Sequence, residues 1–106
     1  MGLFGRKKED SKKFRLEMAE KIARQRIRYV TEKIDDVETV IAKDGAFSIR
    51  DGEFIVFASS DVVFRTPVEQ MQAWELLSGE GAVLTGADLE HGGAERTITV
   101  FYVYYR

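Results

Sequence analysis

The chain has 106 residues, of which 44% are hydrophobic and 32% charged, and its formal net charge is −2. This length predicts one domain, and the composition is that of a soluble globular protein with a single core. The absence of cysteine excludes disulfide bonds and a thiolate nucleophile. It also fits a reducing compartment, so we predict a cytoplasmic location.

The two parts of the chain differ in charge. Residues 1–35 hold eleven Lys and Arg against six Asp and Glu, a net charge of +5, whereas residues 36–106 hold five against twelve, a net charge of −7. This asymmetry indicates either that the basic segment packs on the acidic body or that it serves an anionic partner.

The first predicted element is a helix from about Ser11 to Asp35. No Pro or Gly interrupts this stretch, and Asp10 or Ser11 can cap its start. Residues 1–10 combine glycines with clustered charges, so they are predicted to form a flexible basic tail. Residues 11–106 are then predicted to form a single α+β domain.

The apolar side chains of this predicted helix fall into two stripes. One narrow ridge consists of Leu16, Ala19, Ala23, Ile27, Val30 and Ile34. A second, bulkier ridge on another side consists of Phe14, Met18, Ile22 and Tyr29. A surface helix needs only one stripe to pack on its own domain. We therefore expect the first ridge to lie on a sheet and the second to contact a partner subunit, as in a homodimer.

Short strands separated by turn signals follow the helix. The predicted strands are Val37–Ala42, Ala46–Arg50, Glu53–Ala58 and Asp61–Arg65, the last being either a fourth strand or the bent continuation of the third. Asp44-Gly45 and Asp51-Gly52 each predict a tight hairpin turn, since Asp and Gly tolerate positive φ.

A second helix is predicted from Thr66 to Leu77. Thr66 is the expected N-cap, Pro67 takes the first helical position, and Glu69 completes a capping box. The glycines that follow the helix are expected to end it.

The last predicted hairpin pairs Ala82–Gly86 with Arg96–Tyr105. Every residue of Thr97–Tyr105 is β-branched or aromatic, which favours a strand inside the sheet over an edge strand. We predict an α+β fold, in which a long N-terminal helix covers a mostly antiparallel sheet of five or six strands and the second helix lies at an edge or end. The alternative is a small OB-like barrel with an extra N-terminal helix, whose order of elements is similar.

No set of residues predicts a catalytic centre. His91 is the sole histidine and lies in a His-Gly-Gly stretch similar to an esterase oxyanion loop, but a G-x-S-x-G nucleophile turn is absent. Gly79-Glu80-Gly81 follows a predicted helix rather than a strand, which argues against a phosphate-binding loop. The carboxylates, including Asp88 and Glu90, are expected to be solvated. We predict neither an enzyme nor a bound cofactor or metal.

Basic residues in the first part of the chain form a candidate anion-binding surface. Its members are Arg6, Lys7, Lys8, Lys12, Lys13, Arg15, Lys21, Arg24 and Arg28. Glu17, Glu20 and Glu32 are interleaved with them, and such mixed charges are typical of an ordinary solvated helix face.

Together these features predict a small non-catalytic interaction or scaffolding module that self-associates through its N-terminal helix. Its expected partner is a protein, itself or another, and no small-molecule substrate is evident. The alternative is a peripheral binder of nucleic acid or of an anionic membrane through the basic N-terminal region.

Overall fold

The computed structural model describes the backbone of residues 3–103 and the side chains of residues 13–103. The helix is α1 (Leu3–Ala23), and the strands are β1 (Arg26–Ile34), β2 (Val37–Arg50), β3 (Glu53–Ala58), β4 (Asp61–Pro67), β5 (Gln72–Glu75), β6 (Gly81–Asp88) and β7 (Ala94–Tyr102). Short 3-10 turns lie at Val68–Gln70 and Leu89–His91. The predicted α+β class is confirmed, but the described residues form seven strands instead of five or six.

The seven strands form one antiparallel sheet in the order β4-β3-β2-β1-β7-β6-β5. β7 is hydrogen-bonded to β1 on one side and to β6 on the other. The prediction that the segment from Arg96 lies inside the sheet is therefore confirmed as far as Tyr102, whereas Tyr104 and Tyr105 lie outside the described residues. β3 and β4 are separate strands, joined at Ser59 and Ser60 with φ of 54° and 63°.

The predicted helix Ser11–Asp35 is wrong at both ends. α1 begins at Leu3 and ends at Ala23, after which the chain turns at Arg24 and Gln25 into β1. β1 contains the β-branched or aromatic residues Ile27, Tyr29, Val30, Thr31 and Ile34. Such residues favour a strand, and β1 gains hydrogen-bonded neighbours on both sides, from β2 and β7. Pairing with β2, which follows directly in sequence, and with the distant β7 therefore outweighs the helical spacing of the apolar residues.

The predicted second helix, Thr66–Leu77, does not form. Thr66 belongs to β4 and is wholly buried, and only Val68–Gln70 makes a single 3-10 turn before the chain continues as β5. Pro67 occupies the N-cap position, and no side chain caps the turn. A capping signal is worth only about 1 kcal/mol. Burial of Met71 in the core and pairing of β5 with β6 outweigh it.

One of the two predicted Asp-Gly turns is confirmed and the other is wrong. Asp51 and Gly52 join β2 to β3 with φ of 52° and 76°. β2 instead runs through Asp44 and Gly45 without a break. Gly45 is needed there for close approach of two strands, because a Cβ at this position would lie 1.7 Å from the carbonyl oxygen of Phe57.

The sheet curls so that β4 packs against β6, but no ladder joins these two strands. They approach closely at Gly86, where a Cβ would lie 2.4 Å from Thr66 Oγ1. α1 packs against the curled sheet and buries Ala19 and Ile22 completely. Large side chains that fill the core include Phe54, Phe64, Ile27, Leu84 and Ile98. Because the sheet stays open, the alternative prediction of an OB-like barrel is wrong.

The core contains one tyrosine hydroxyl, that of Tyr102, without a hydrogen-bond partner among the described residues. Burial, with a smaller effect of the Glu75 charge, raises the pKa of this hydroxyl to about 12. We expect Tyr102→Phe to raise the free energy of unfolding by about 1 kcal/mol, because it removes a buried unpaired polar group. The ring would keep its edge contact with Phe47, whose centroid lies 6.4 Å away. Urea denaturation of both proteins measures the change, and a less stable variant would contradict this expectation.

Candidate functional site

The structure separates the four residues of the predicted partner ridge. Phe14 and Met18 lie on α1, where the Phe14 side chain is 60% exposed and Met18 is half-buried. Ile22, one turn further along, is wholly buried. Tyr29 lies on β1, and its ring stacks on that of Phe101 with centroids 4.5 Å apart. The interface itself stays a prediction, but only Phe14 and Met18 remain together on one surface.

These two residues line a groove between α1 and β5 whose walls are mainly apolar but also include Arg15 and Gln72. The groove encloses about 290 Å³, and its walls include Phe14, Arg15, Met18, Met71, Ala73 and Trp74. The Trp74 side chain is 54% exposed, and Leu77, in the loop that follows β5, is fully exposed. Two of the exposed large apolar side chains, Phe14 and Trp74, thus line one groove, which makes the groove a candidate contact surface.

Two polar contacts hold α1 beside β5. Lys21 Nζ lies 2.8 Å from Glu75 Oε1, and the Arg15 guanidinium donates to the Glu69 carbonyl. The Lys21 side chain is 61% exposed, so this ion pair contributes at most about 1 kcal/mol. These two contacts fix the position of α1 beside β5, but they contribute little to the stability of the fold.

Among residues 3–103, β5 is an outer strand of the sheet and pairs only with β6. The Leu76 amide donates to the Gly81 carbonyl at 2.9 Å, so Leu76 is a residue whose main-chain groups face β6. In an antiparallel ladder the bonded residues alternate, so the main-chain groups of Ala73 and Glu75 point away from β6. Such outward N–H and C=O groups can pair with a further strand.

β4, the outer strand at the opposite side of the sheet, is covered by side chains. The Arg65 amide donates to Asp88 Oδ1 at 3.2 Å, and Arg96 Nη1 donates to the Val63 carbonyl at 3.0 Å. Pro67, the last residue of β4, has no N–H to donate. The two outer strands thus differ, because side chains occupy hydrogen-bonding groups of β4 that would otherwise face solvent.

Asp88 is the centre of the charged network that covers β4. It is 0% exposed, and its carboxylate accepts hydrogen bonds from Arg96 at 2.5 Å, from His91 Nδ1 at 2.6 Å and from the Glu90 amide at 3.0 Å. The Arg96 guanidinium also binds both carboxylate oxygens of Glu32, at 2.6 and 3.1 Å. The expectation that Asp88 is solvated is therefore wrong.

The electrostatics of this network keep Asp88 and Arg96 charged. Burial alone raises the pKa of Asp88, but hydrogen bonds from Arg96, from His91 and from two backbone amides outweigh burial, so the pKa lies below its usual value. The hydrogen bond to Glu32 is the main reason that the pKa of Arg96 lies above its usual value. The network therefore joins β1, β6 and β7 by ion pairs at neutral pH and holds β4 by hydrogen bonds to its main chain.

His91 lies in the Leu89–His91 turn, and its side chain is 55% exposed. We assign the proton to Nδ1, because this atom faces the ionised Asp88 carboxylate. An imidazole held in this way can act as a base when a nucleophile lies beside it. Among the residues that the structure describes, His91 makes no hydrogen bond to a hydroxyl, and no three His, Asp or Glu side chains group into a metal site.

The predicted anion-binding residues are only partly described. The side chains of Arg6, Lys7, Lys8 and Lys12 lie outside the described residues, and those of Lys13, Arg15, Lys21, Arg24 and Arg28 lie within them. Arg28 lies on β1, where its guanidinium carbon is 5.8 Å from the centroid of the Tyr29 ring. Lys21 lies on α1 and Arg24 in the turn that follows it, so the three residues do not form one row on a helix. In residues 3–103, no helix is both long enough and apolar enough to span a membrane.

Sequence reasoning misses Asp88 and the open edge of β5. A signal for Asp88 exists, because Ala82, Leu84 and Gly86 alternate on the buried side of β6 and Asp88 continues that alternation. β5 has no comparable signal, since Gln72–Glu75 is short and contains no β-branched residue.

Comparisons with protein-family models, with curated proteins and with solved structures find no match for this chain.

Proposed function

We propose that this chain is a non-catalytic interaction module that self-associates through the groove between α1 and β5. The observation that carries the proposal is the contrast between the two outer strands. Side chains cover β4, whereas β5 presents main-chain groups that have no partner in the described part of the chain and that lie beside the groove. Natural proteins usually protect such edges, so an unprotected edge is a candidate contact site.

The charges around the groove favour a second copy of the same chain as the partner. An interface between identical copies related by a two-fold axis must be complementary to itself. Near the groove, α1 carries Arg15 and Lys21, and the facing segment carries Glu69 and Glu75, of which Glu75 pairs with Lys21. Because the surface carries both positive and negative side chains, a second copy can bind so that opposite charges, and not like charges, face each other.

The groove also has the side chains that dominate interface energies. Phe14 on α1 and Trp74 on β5 are exposed aromatic residues that line the groove, and burial of such side chains supplies a large part of the free energy of association. Self-association would remove both from water, whereas the core is complete without them.

We expect Phe14→Ser to weaken self-association at least about tenfold, because it removes an exposed aromatic anchor from the groove. The matched control is Phe57→Ser, since Phe57 is a 40% exposed phenylalanine on β3, away from the groove. Sedimentation equilibrium of the 12.1 kDa chain from low to high micromolar concentration gives the dissociation constants.

Two results would contradict the proposal. One is a wild-type chain that stays monomeric at high micromolar concentration. The other is an equal loss of association in the Phe14 and Phe57 variants, with both folded by circular dichroism, because the groove would then have no special part in the contact.

A further inference from the structure

We infer that two copies of this chain join their sheets by antiparallel pairing of β5 with β5, with Trp74 of each copy opposite the second copy's Trp74. The inference rests on the proposed self-association and adds the strand, the direction and the register. It follows from three properties of β5: which main-chain groups point outward, which face each side chain occupies, and where its charge lies.

The first property limits the residues that can form hydrogen bonds to a new strand. Ala73 and Glu75 direct their N–H and C=O groups away from β6. The Met71 N–H already donates to the Val68 carbonyl at 3.2 Å, so it is not free for a further strand. A pairing that uses Ala73 and Glu75, and avoids Met71, therefore satisfies the largest number of outward groups.

The second property limits the register. Ala73 pairs with the buried Leu84 and lies on the core side of the sheet, whereas Trp74 pairs with Val83 and lies on the outer side. Residues opposite each other in an antiparallel pair occupy the same face. A two-fold axis can therefore pass at Ala73 or at Trp74, but it cannot pass between them.

The axis at Trp74 uses every outward group. It places Ala73 opposite the second copy's Glu75, and each such pair exchanges two N–H···O bonds. The axis at Ala73 would instead place Glu75 opposite the second copy's Met71, whose N–H is already bonded. The hydrogen bonds therefore favour Trp74 as the central residue.

The side chains favour the same register. With the axis at Trp74, the two tryptophans form a pair without main-chain hydrogen bonds, in which the Cα atoms are only about 4.5 Å apart and the side chains are closest. Cross-strand aromatic pairs stabilise a sheet. Glu75, the one charged residue of β5, lies opposite a neutral alanine, so no like charges face each other.

The projecting end of the β1–β2 hairpin is a weaker candidate for contact between copies. It exposes Ile34, Val37 and Val40, but Asp35, Asp36 and Glu38 surround them. Two copies meeting there would bring carboxylates together.

Hydrogen exchange of the wild-type protein tests the inference. Amide exchange is followed by two-dimensional NMR at about 10 µM and about 500 µM. We expect the Ala73 and Glu75 amides to exchange at least about tenfold more slowly at the higher concentration, because association gives them partners. The amides of Gln72 and Trp74 already bond to β6 and serve as internal controls, so their exchange should change much less.

The outcomes separate this inference from the proposed function. If sedimentation shows a dimer while Ala73 and Glu75 exchange equally fast at both concentrations, the β5 pairing is wrong and self-association stands. If the chain is monomeric at every concentration, the proposed self-association and the β5 pairing are both wrong. The axis at Ala73 would place Met71 opposite Glu75, so slower exchange of the Met71 amide at the higher concentration, together with Ala73 and Glu75, would overturn the register.

Cysteine cross-linking supplies a second measurement, since the chain contains no cysteine of its own. We expect Trp74→Cys to form an intermolecular disulfide under mild oxidation at high concentration, because the two-fold axis brings the introduced thiols together. Val83→Cys is the matched control, since Val83 lies beside Trp74 on the same face but one strand inward. Cross-linking through Val83→Cys or through Ala73→Cys, but not through Trp74→Cys, would overturn the inference.

Discussion

Replacing Asp88 with asparagine is expected to lower the free energy of unfolding by about 3 kcal/mol, because it breaks a buried ionic network by removing one partner. The carboxylate is fully buried and accepts hydrogen bonds from Arg96, His91 and the Arg65 amide. An asparagine side chain keeps the shape but turns one acceptor into a donor that faces other donors. Urea denaturation at neutral pH measures the loss.

Asp61→Asn is the matched control for this substitution. Asp61 is an exposed carboxylate at the start of β4, and its Oδ1 accepts from the neighbouring Val62 amide. A change there should stay within about 0.5 kcal/mol. Equal effects of the two substitutions would show that burial of Asp88 contributes nothing.

The Asp88 variant should also change the pH dependence of stability. The pKa of Asp88 is lower in the folded state than its usual value, so the carboxylate contributes stability above the unfolded pKa of about 4 and loses it as the pH falls through the lower folded pKa. The stability difference between wild type and Asp88→Asn should therefore be constant near neutral pH and shrink in acid. A difference that does not depend on pH would contradict an ionised Asp88.

Asp88→Asn also tests whether Asp88 protects the main chain of the outer strand β4. Asp88 accepts from the Arg65 amide on β4, so this amide should exchange faster in Asp88→Asn, beyond what the global loss of stability explains. Exchange at the Phe54 amide, inside the sheet, supplies the global reference.

Gly45→Ala is expected to destabilise the fold by about 3 kcal/mol, because the added methyl group would overlap with a neighbouring strand. A Cβ at Gly45 would lie 1.7 Å from the Phe57 carbonyl oxygen and 2.8 Å from the Ala58 Cα, both of which are backbone atoms. Backbone atoms within a paired sheet cannot move aside without breaking the ladder between β2 and β3.

Gly52→Ala distinguishes close approach from backbone conformation. Gly52 has a φ of 76°, and a Cβ added there would meet no atom within 4 Å, so its substitution costs only the strain of positive φ, about 1 kcal/mol. Thermal or urea denaturation compares the two variants. If both lose the same stability, Gly45 acts as a turn residue, and the continuous path of β2 is wrong.

The two Asp-Gly pairs show that a local sequence pattern does not by itself determine where a turn forms. Both pairs tolerate positive φ, and Asp44 indeed has a φ of 52°, yet only Asp51-Gly52 forms a turn. The difference lies in what each pair meets. Gly45 pairs with Ala58 on β3, a contact that no local pattern around residue 45 contains.

The boundary between α1 and β1 is a second position at which the local sequence pattern does not determine the structure. Ile27 and Val30 fit a helical spacing with the residues before them, and they also fit a strand. The local sequence is compatible with either a helix or a strand. The strand β1 forms because β2 and β7 pair with it on both sides. These neighbours supply a ladder of hydrogen bonds that a surface helix would not have.

The α+β class, the turn at Asp51-Gly52 and the position of the Arg96–Tyr102 segment inside the sheet follow from the amino-acid sequence alone, because turn chemistry and β-branched composition act locally. The end of α1, the existence of β5 and both candidate sites depend instead on the three-dimensional fold. Phe14 meets the groove beside Trp74, and Glu32 meets Arg96, across long stretches of chain. Such contacts depend on which strands pair and how the sheet curls, and free energies of long-range pairing and burial exceed the local preferences that a sequence pattern records.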